Sequence, residues 1–233
     1  DKYSDIITEY SERADALSVG LRKHGIVYSD KGEARISHGW GDKLSYHVGG
    51  WHDPDGTSRR SLTSNSFWGL SELYDRDISL HDVIKNDILK LDSKYGLKTF
   101  DPHFEPDAKG VGRIPKLPAG TAENGAPYIH ASVFGVMALF RMGSAKEAWE
   151  KLMKSLPVTH QNISVSPFVM PNSYCYNPDK NIDGESMLDW QTGSSNVVLK
   201  LLIRFVVGIK PSYDGVWIQP ANYCPFTGFK AEV

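Results

Sequence analysis

Three long stretches of polar, glycine-rich and aromatic sequence, 28–60, 98–125 and 158–184, separate the apolar, periodic parts of this chain. Connections of that length are uncommon inside a compact domain and are usually functional or disordered. Tryptophans at 40 and 51 argue against disorder in the first. The periodic parts read as helices. Ile6, Ile7, Tyr10, Ala14, Leu17 and Leu21 recur at helical spacing, with Gly25 as a stop. Ser61 to Tyr74 reads as a helix burying Phe67, Trp68, Leu70 and Leu73. Ser79 is placed to cap the next, which carries Val83, Ile84, Ile88 and Leu91 and stops near Gly96. Tyr128 to Met142 is a strongly apolar helix, Ser144 caps another through Ser155, and Ser195 to Ile209 is apolar almost all round, which predicts burial on most sides. The turn signal Tyr213–Asp214–Gly215 precedes a strand at Val216–Ile218. No βαβ alternation is present, which argues against a doubly wound sheet. β structure is expected only at the end, and stacked helix pairs with loops gathered at one end fit best.

Composition narrows the function classes. Lys+Arg is 26 and Asp+Glu 28, a net charge of −2 that lacks the basic excess of a nucleic-acid binder. No run reaches membrane-spanning length, so no membrane association is expected. Cys175 and Cys224 allow at most one disulfide and no thiolate zinc cluster. The histidines are scattered without a metal-ligand spacing, so no metal site is expected. Neither a nucleophile elbow nor a glycine-rich nucleotide loop occurs. Localisation is expected to be cytoplasmic. The chain lacks an initiator methionine and stops inside the strand-like run Phe229–Val233, so both ends read as cut.

Chemistry concentrates in the loops. Trp40 offers a flat apolar face suited to the C–H side of a sugar ring, and Asp42 lies two residues on. A carboxyl held beside an indole is partly desolvated, which suits a general acid. Spacing alone favours reading the same residues as a packing tryptophan and a turn aspartate. Glu123 and Asn124 either project into a cleft or cap the helix that follows. His130, in that apolar helix, reads as a core histidine. The run Asp189–Trp190–Gln191–Thr192–Gly193–Ser194 opens the last helix. A helix start favours an anion, Thr192 adds a hydroxyl, Gly193 permits close approach, and a histidine such as His160 adds a donor. A plain N-cap at Thr192 or Ser194 accounts for the same residues.

Taken in order, these segments resemble the glycoside phosphorylases of glycoside hydrolase family 94. The resemblance rests on Trp40–Gly41–Asp42; Lys94–Tyr95–Gly96–Leu97 before Pro102; Glu123–Asn124–Gly125 with Tyr128 and His130; Leu156–Pro157–Val158–Thr159–His160; Gly184–Glu185; Trp190–Ser194; and Gly208–Pro211 with Asp214–Pro220. It implies a mainly α fold: 1–209 as the second half of an (α/α)₆ barrel and 210–233 as the start of a C-terminal β region. An N-terminal β-sandwich and the first half of the barrel are expected to be absent, so activity is expected of the parent protein and is left open for this chain alone.

The resemblance implies Asp42 as proton donor. It implies His160, Thr192 and Gly193 as phosphate ligands, and Trp40, Glu123 and Gln191 as substrate contacts. A phosphate-binding arginine is expected in a segment outside this chain. Inorganic phosphate is then a co-substrate, with no other cofactor. The partner is a β-linked oligosaccharide, and a homodimer is one expectation, since such proteins are often dimeric.

Gly39 replaces the family's usual aspartate and Ala126 its second glycine, which argues against assuming cellobiose. Asp53–Thr57 and Ser61–Thr63 look closer to the β-1,2-oligoglucan branch. Two other readings stay open: an inverting hydrolase using Glu123 or Glu185 as base, and a non-catalytic carbohydrate-binding fragment.

Overall fold

The computed structural model describes residues 3–40, 46–53, 55–75, 77–190, 192–228 and 230. It opens with helix α1, Ser4–Gly25. Asp5 lies in its first turn and Arg22, Lys23 and His24 in its last, the charge order that complements a helix dipole. Its apolar stripe is exposed, and Arg22 ties its end to the Asp77 carboxylate at 2.8 Å and to the Leu73 carbonyl at 2.9 Å.

The stretch 28–60 was expected to be loop, but it lies within a run of short strands. β1 (Ile26–Tyr28) pairs with β2 (Ala34–Ile36), and β3 (His38–Trp40) with β4 (Tyr46–Val48), both antiparallel. β5 (Arg60–Ser61) leads directly into α2, Leu62–Leu70. The helix expected over Ser61–Tyr74 breaks at Ser71, whose N–H and hydroxyl both donate to the Trp68 carbonyl, and resumes as α3, Glu72–Asp75. Phe67 is exposed rather than buried. α4 spans His81–Leu89 and follows a 3₁₀ turn. Ser79 caps nothing, because its hydroxyl donates to Asp77.

β6 (Asp92–Ser93) and β7 (Gly96–Leu97) form a tight hairpin with Lys94 and Tyr95 at its turn, and β8 (Phe100–Asp101) pairs with β5. Helices α5 (Ile129–Arg141) and α6 (Ala145–Ser155) follow as expected, although Ser144 makes no side-chain cap. The third expected loop contains a hairpin, β9 (Ser173–Asn177) with β10 (Ile182–Met187). The last helix is shorter than its hydropathy predicts. α7 covers Ser194–Leu201, and a π-helical turn at Leu202–Val207 ends it before Ile209. It is not buried on most sides: Leu199 and Ile203 are exposed. β11 (Ile209–Ser212) and β12 (Gly215–Ile218) close the chain as a hairpin.

The core lies where α2, α4, α5 and α6 meet. Leu62, Ile84, Ile88, Val133, Val136, Leu139 and Ala148 are fully buried there. α5 is apolar on every side because it sits in the middle of this cluster. Its approach to α2 depends on small residues. A Cβ at Gly135 would lie 2.7 Å from Leu97 Cδ1 and 2.8 Å from Leu62 Cδ1. One at Gly69 would lie 3.0 Å from both Ala138 Cβ and Met142 Sδ. Polar satisfaction continues inside: the Leu97 N–H donates to Ser132 Oγ at 2.9 Å, and Ser132 exchanges a hydrogen bond with Ser155. Gly208, at φ +81°, lets the chain turn back. Its carbonyl accepts the Gln219 N–H at 2.9 Å, which folds the terminal hairpin's exit against the end of the last helix.

Gly135→Val should lower stability by about 1–3 kcal/mol through overpacking at the α2–α5 contact. A urea midpoint moved down with an unchanged slope is the expected result.

Candidate active site

Two buried arginines hold the loops on which the candidate residues lie. Arg59, 1% exposed, donates to Asp53 Oδ2 at 3.0 Å and to both oxygens of Asp55 at 2.9 and 2.6 Å. It also donates to the Pro102 and His103 carbonyls at 3.1 Å each, and its guanidinium lies 3.8 Å over the Phe104 ring. Arg35 donates to the Gly50 carbonyl and stacks on Trp51. Arg59 thus ties the segment after the β3–β4 hairpin to the 100–104 segment, and Arg35 ties that same segment to β2. Burial pushes the Asp53 carboxyl above its ordinary range, although Arg59 opposes the shift. Arg59 holds Asp55 below its ordinary range.

The backbone of Trp40 lies in β3. Residues 41–45, with Asp42, fall outside the described residues, as does Gln191. Glu123 is half-buried and ion-paired to Arg113. Asn124 does not cap a helix. It is fully buried, accepts the Phe104 N–H at 2.8 Å and donates to the Phe104 and Leu117 carbonyls at 3.0 and 2.9 Å. It is the brace of the second loop, and it leaves Glu123 at that loop's edge. Glu185 is exposed on β10.

His160 and the start of α7 have different surroundings. His160 Nε2 lies 2.7 Å from the Lys154 carbonyl, and since a carbonyl only accepts, Nε2 carries the proton. Its ring packs edge-on against Tyr95 and Tyr174, centroids 4.7 and 5.4 Å away. Tyr95 in turn donates to Asp183 at 2.7 Å, and Lys94 donates to the same carboxylate, holding it below its ordinary range. Burial pushes Tyr174 up to about 12. His160 is thus a member of an aromatic and ionic cluster.

At α7, Gly193 occupies the N-cap position. Thr192 Oγ1 accepts the Ser194 N–H at 3.1 Å and lies 2.6 Å from Ser194 Oγ, a local turn that orients the helix start. The side chain facing Gly193 is His130: a Cβ on that glycine would lie 3.8 Å from His130 Cε1. His130 is therefore not a core histidine. It is half-buried, stacks on Phe134 with centroids 5.4 Å apart, and borders a shallow aromatic recess of about 230 Å³ lined by Thr63, Phe67, Tyr128, Ala131 and Phe134. The apolar run around it is what predicted a core histidine. The available signal was its place in the first turn of that helix, before the stretch that is buried all round.

Residues 60–208 match the model of the glycosyl hydrolase 94 superfamily, catalytic domain, and the chain belongs to that family. It is 31% identical over 135 residues to solabiose phosphorylase of Paenibacillus borealis, covering 56% of this chain and 17% of that protein. It is 27% identical over 219 residues to the cyclic beta-(1,2)-glucan synthase NdvB of Rhizobium meliloti (strain 1021), 84% of this chain and 7% of that protein. Against N,N'-diacetylchitobiose phosphorylase of Vibrio proteolyticus it is 24% identical over 211 residues, 85% and 26% of the two chains. The chain spans about a quarter or less of each of these relatives. Among the described residues, no helix is long and apolar enough to cross a membrane.

Removing Arg59 leaves Asp53 buried without its counter-ion, so Arg59→Met should destabilise by about 3–5 kcal/mol. Asp55 gives a pH test. Its lowered value means its stabilising effect is full above the ordinary aspartate range and is lost as pH falls through the folded value. Asp55→Asn should lower stability at neutral pH and flatten the acid limb of a stability–pH profile.

Proposed function

We propose that the intact protein cleaves a β-linked glucoside by phosphorolysis with inversion, releasing α-glucose 1-phosphate and a shortened glucan. The observation that carries this reading is the start of α7 facing an imidazole: a Cβ on Gly193, the residue after Thr192, would lie 3.8 Å from His130 Cε1. The first backbone N–H groups of a helix have no intrahelical partner and lie at the positive end of its dipole, so they suit a phosphate. The family membership and the phosphorylase names of several relatives support the same chemistry.

In this reading Asp42 gives its proton to the glycosidic oxygen as the bond to the anomeric carbon breaks. A phosphate oxygen forms the new bond from the opposite face. Phosphate arrives as an anion, so no second carboxylate is required to activate water, unlike an inverting hydrolase. Trp40, Glu123 and Gln191 contact the sugar. His130 takes the phosphate role expected of His160, whose Nε2 proton is engaged by the Lys154 carbonyl. The helices form part of an (α/α)₆ barrel, and β-1,2-oligoglucans are the favoured substrate branch.

The direct test follows α-glucose 1-phosphate with the intact protein, β-1,2-, β-1,3- and β-1,4-linked glucosides, and phosphate present or withheld. Product that requires phosphate is expected; equal sugar release without phosphate makes the protein a hydrolase. Asp42→Asn should lower kcat by about 10²–10⁴-fold. His130→Ala should raise the phosphate KM more than His160→Ala does, which should act mainly on stability.

A further inference from the structure

Immediately before the phosphate turn the backbone is strained twice within three residues. Leu188 has φ +52° and Trp190 φ +73°, the left-handed region that bulky side chains rarely adopt. Neither uses the conformation to reach the core. Leu188 is 54% exposed and Trp190 75% exposed. Between them Asp189 is pinned inward, its Oδ2 accepting the Ser186 hydroxyl at 3.0 Å. Among the described residues no ring or hydrogen-bond partner engages the Trp190 indole. Glycine would take the same backbone at Trp190 without steric penalty. A strained residue persists where its placement matters, and such residues gather at binding sites. Here the strain holds out a large flat apolar face two residues ahead of Thr192.

We propose that Trp190 is a sugar-binding platform, against which a pyranose ring of the oligosaccharide stacks its C–H face beside the phosphate turn. An indole supplies a wide, rigid contact at little entropic cost, with an N–H left to bond a hydroxyl. This assignment rests on the phosphorolysis reading for its kinetic test and adds a second aromatic surface to Trp40. Trp190 touches the sugar and takes no part in proton transfer.

Trp190→Gly separates this role from packing. It relieves the left-handed strain, so the intact variant should melt at the same or a higher temperature. Its KM for the β-linked glucan should rise about ten-fold or more while the phosphate KM stays unchanged, and Trp190→Phe should recover part of the loss. Quenching or enhancement of tryptophan fluorescence by a β-linked glucan should shrink in both variants. A lower melting temperature with an unchanged glucan KM would make Trp190 a packing residue and overturn the proposal. If the unsubstituted protein shows no phosphate-dependent cleavage, the phosphorolysis reading fails separately. Calorimetric titration with the same glucan then decides the platform, and equal affinity in wild type and Trp190→Gly refutes it.

Discussion

Arg59 is the interaction on which the loop architecture depends. A guanidinium removed from water is expensive unless its donors are used, and this one has Asp53, Asp55 and two backbone carbonyls around it and Phe104 beneath it. Those partners come from two distant stretches of chain. The charge therefore joins the segment after the β3–β4 hairpin to the 100–104 segment, whose Phe100 and Phe104 pack with Val111 and Ile114 in a small apolar cluster. Asn124 does comparable work at the other end of the second loop, filling three hydrogen bonds with its buried amide. Polar groups hold the loops in place, and the helices beneath supply the apolar burial.

The candidate site follows from how α5 is used. From Ser132 onward it is mostly buried among α2, α6, α7 and β7, packed so closely to α2 that glycine is needed at 135 and 69. Its first turn emerges from that packing and carries His130 to the N-terminus of α7. A rigid buried helix thus sets the position of the imidazole, and the Thr192 turn sets the position of the facing backbone N–H groups. The Tyr95–Tyr174–His160 cluster, tied by Lys94 and Asp183, forms a separate brace around the β6–β7 turn.

The long, strongly periodic helices α1, α5 and α6 were legible because the apolar spacing that buries or stripes a helix is written locally. The strands between 26 and 61 were not. Each is two or three residues long, too short for alternation to rise above the glycines and charges around it. The β9–β10 hairpin was hidden by Pro167, Pro171 and Pro178, which mark loops without saying where pairing resumes. The last helix misled in the opposite sense: continuous hydrophobicity predicted burial, yet within the described structure Leu199 and Ile203 face outward. In the site, the candidate residue types were readable, but the sequence placed His160 at the anion and His130 in the core. Choosing between them requires knowing which turn lies across from Gly193, and the 32 and 62 positions that separate them from Thr192 do not encode that.

The sequence alone determined the mainly helical class and the family, because these reside in local periodicity and in the order of short motifs. Tertiary structure decided which of those residues meet. It paired His130 with the start of α7, engaged His160 with a backbone carbonyl, made Asn124 a brace and set Trp190 outward on strained backbone. Each outcome depends on contacts between segments far apart in the chain, where close packing and the need to satisfy buried polar groups leave few arrangements.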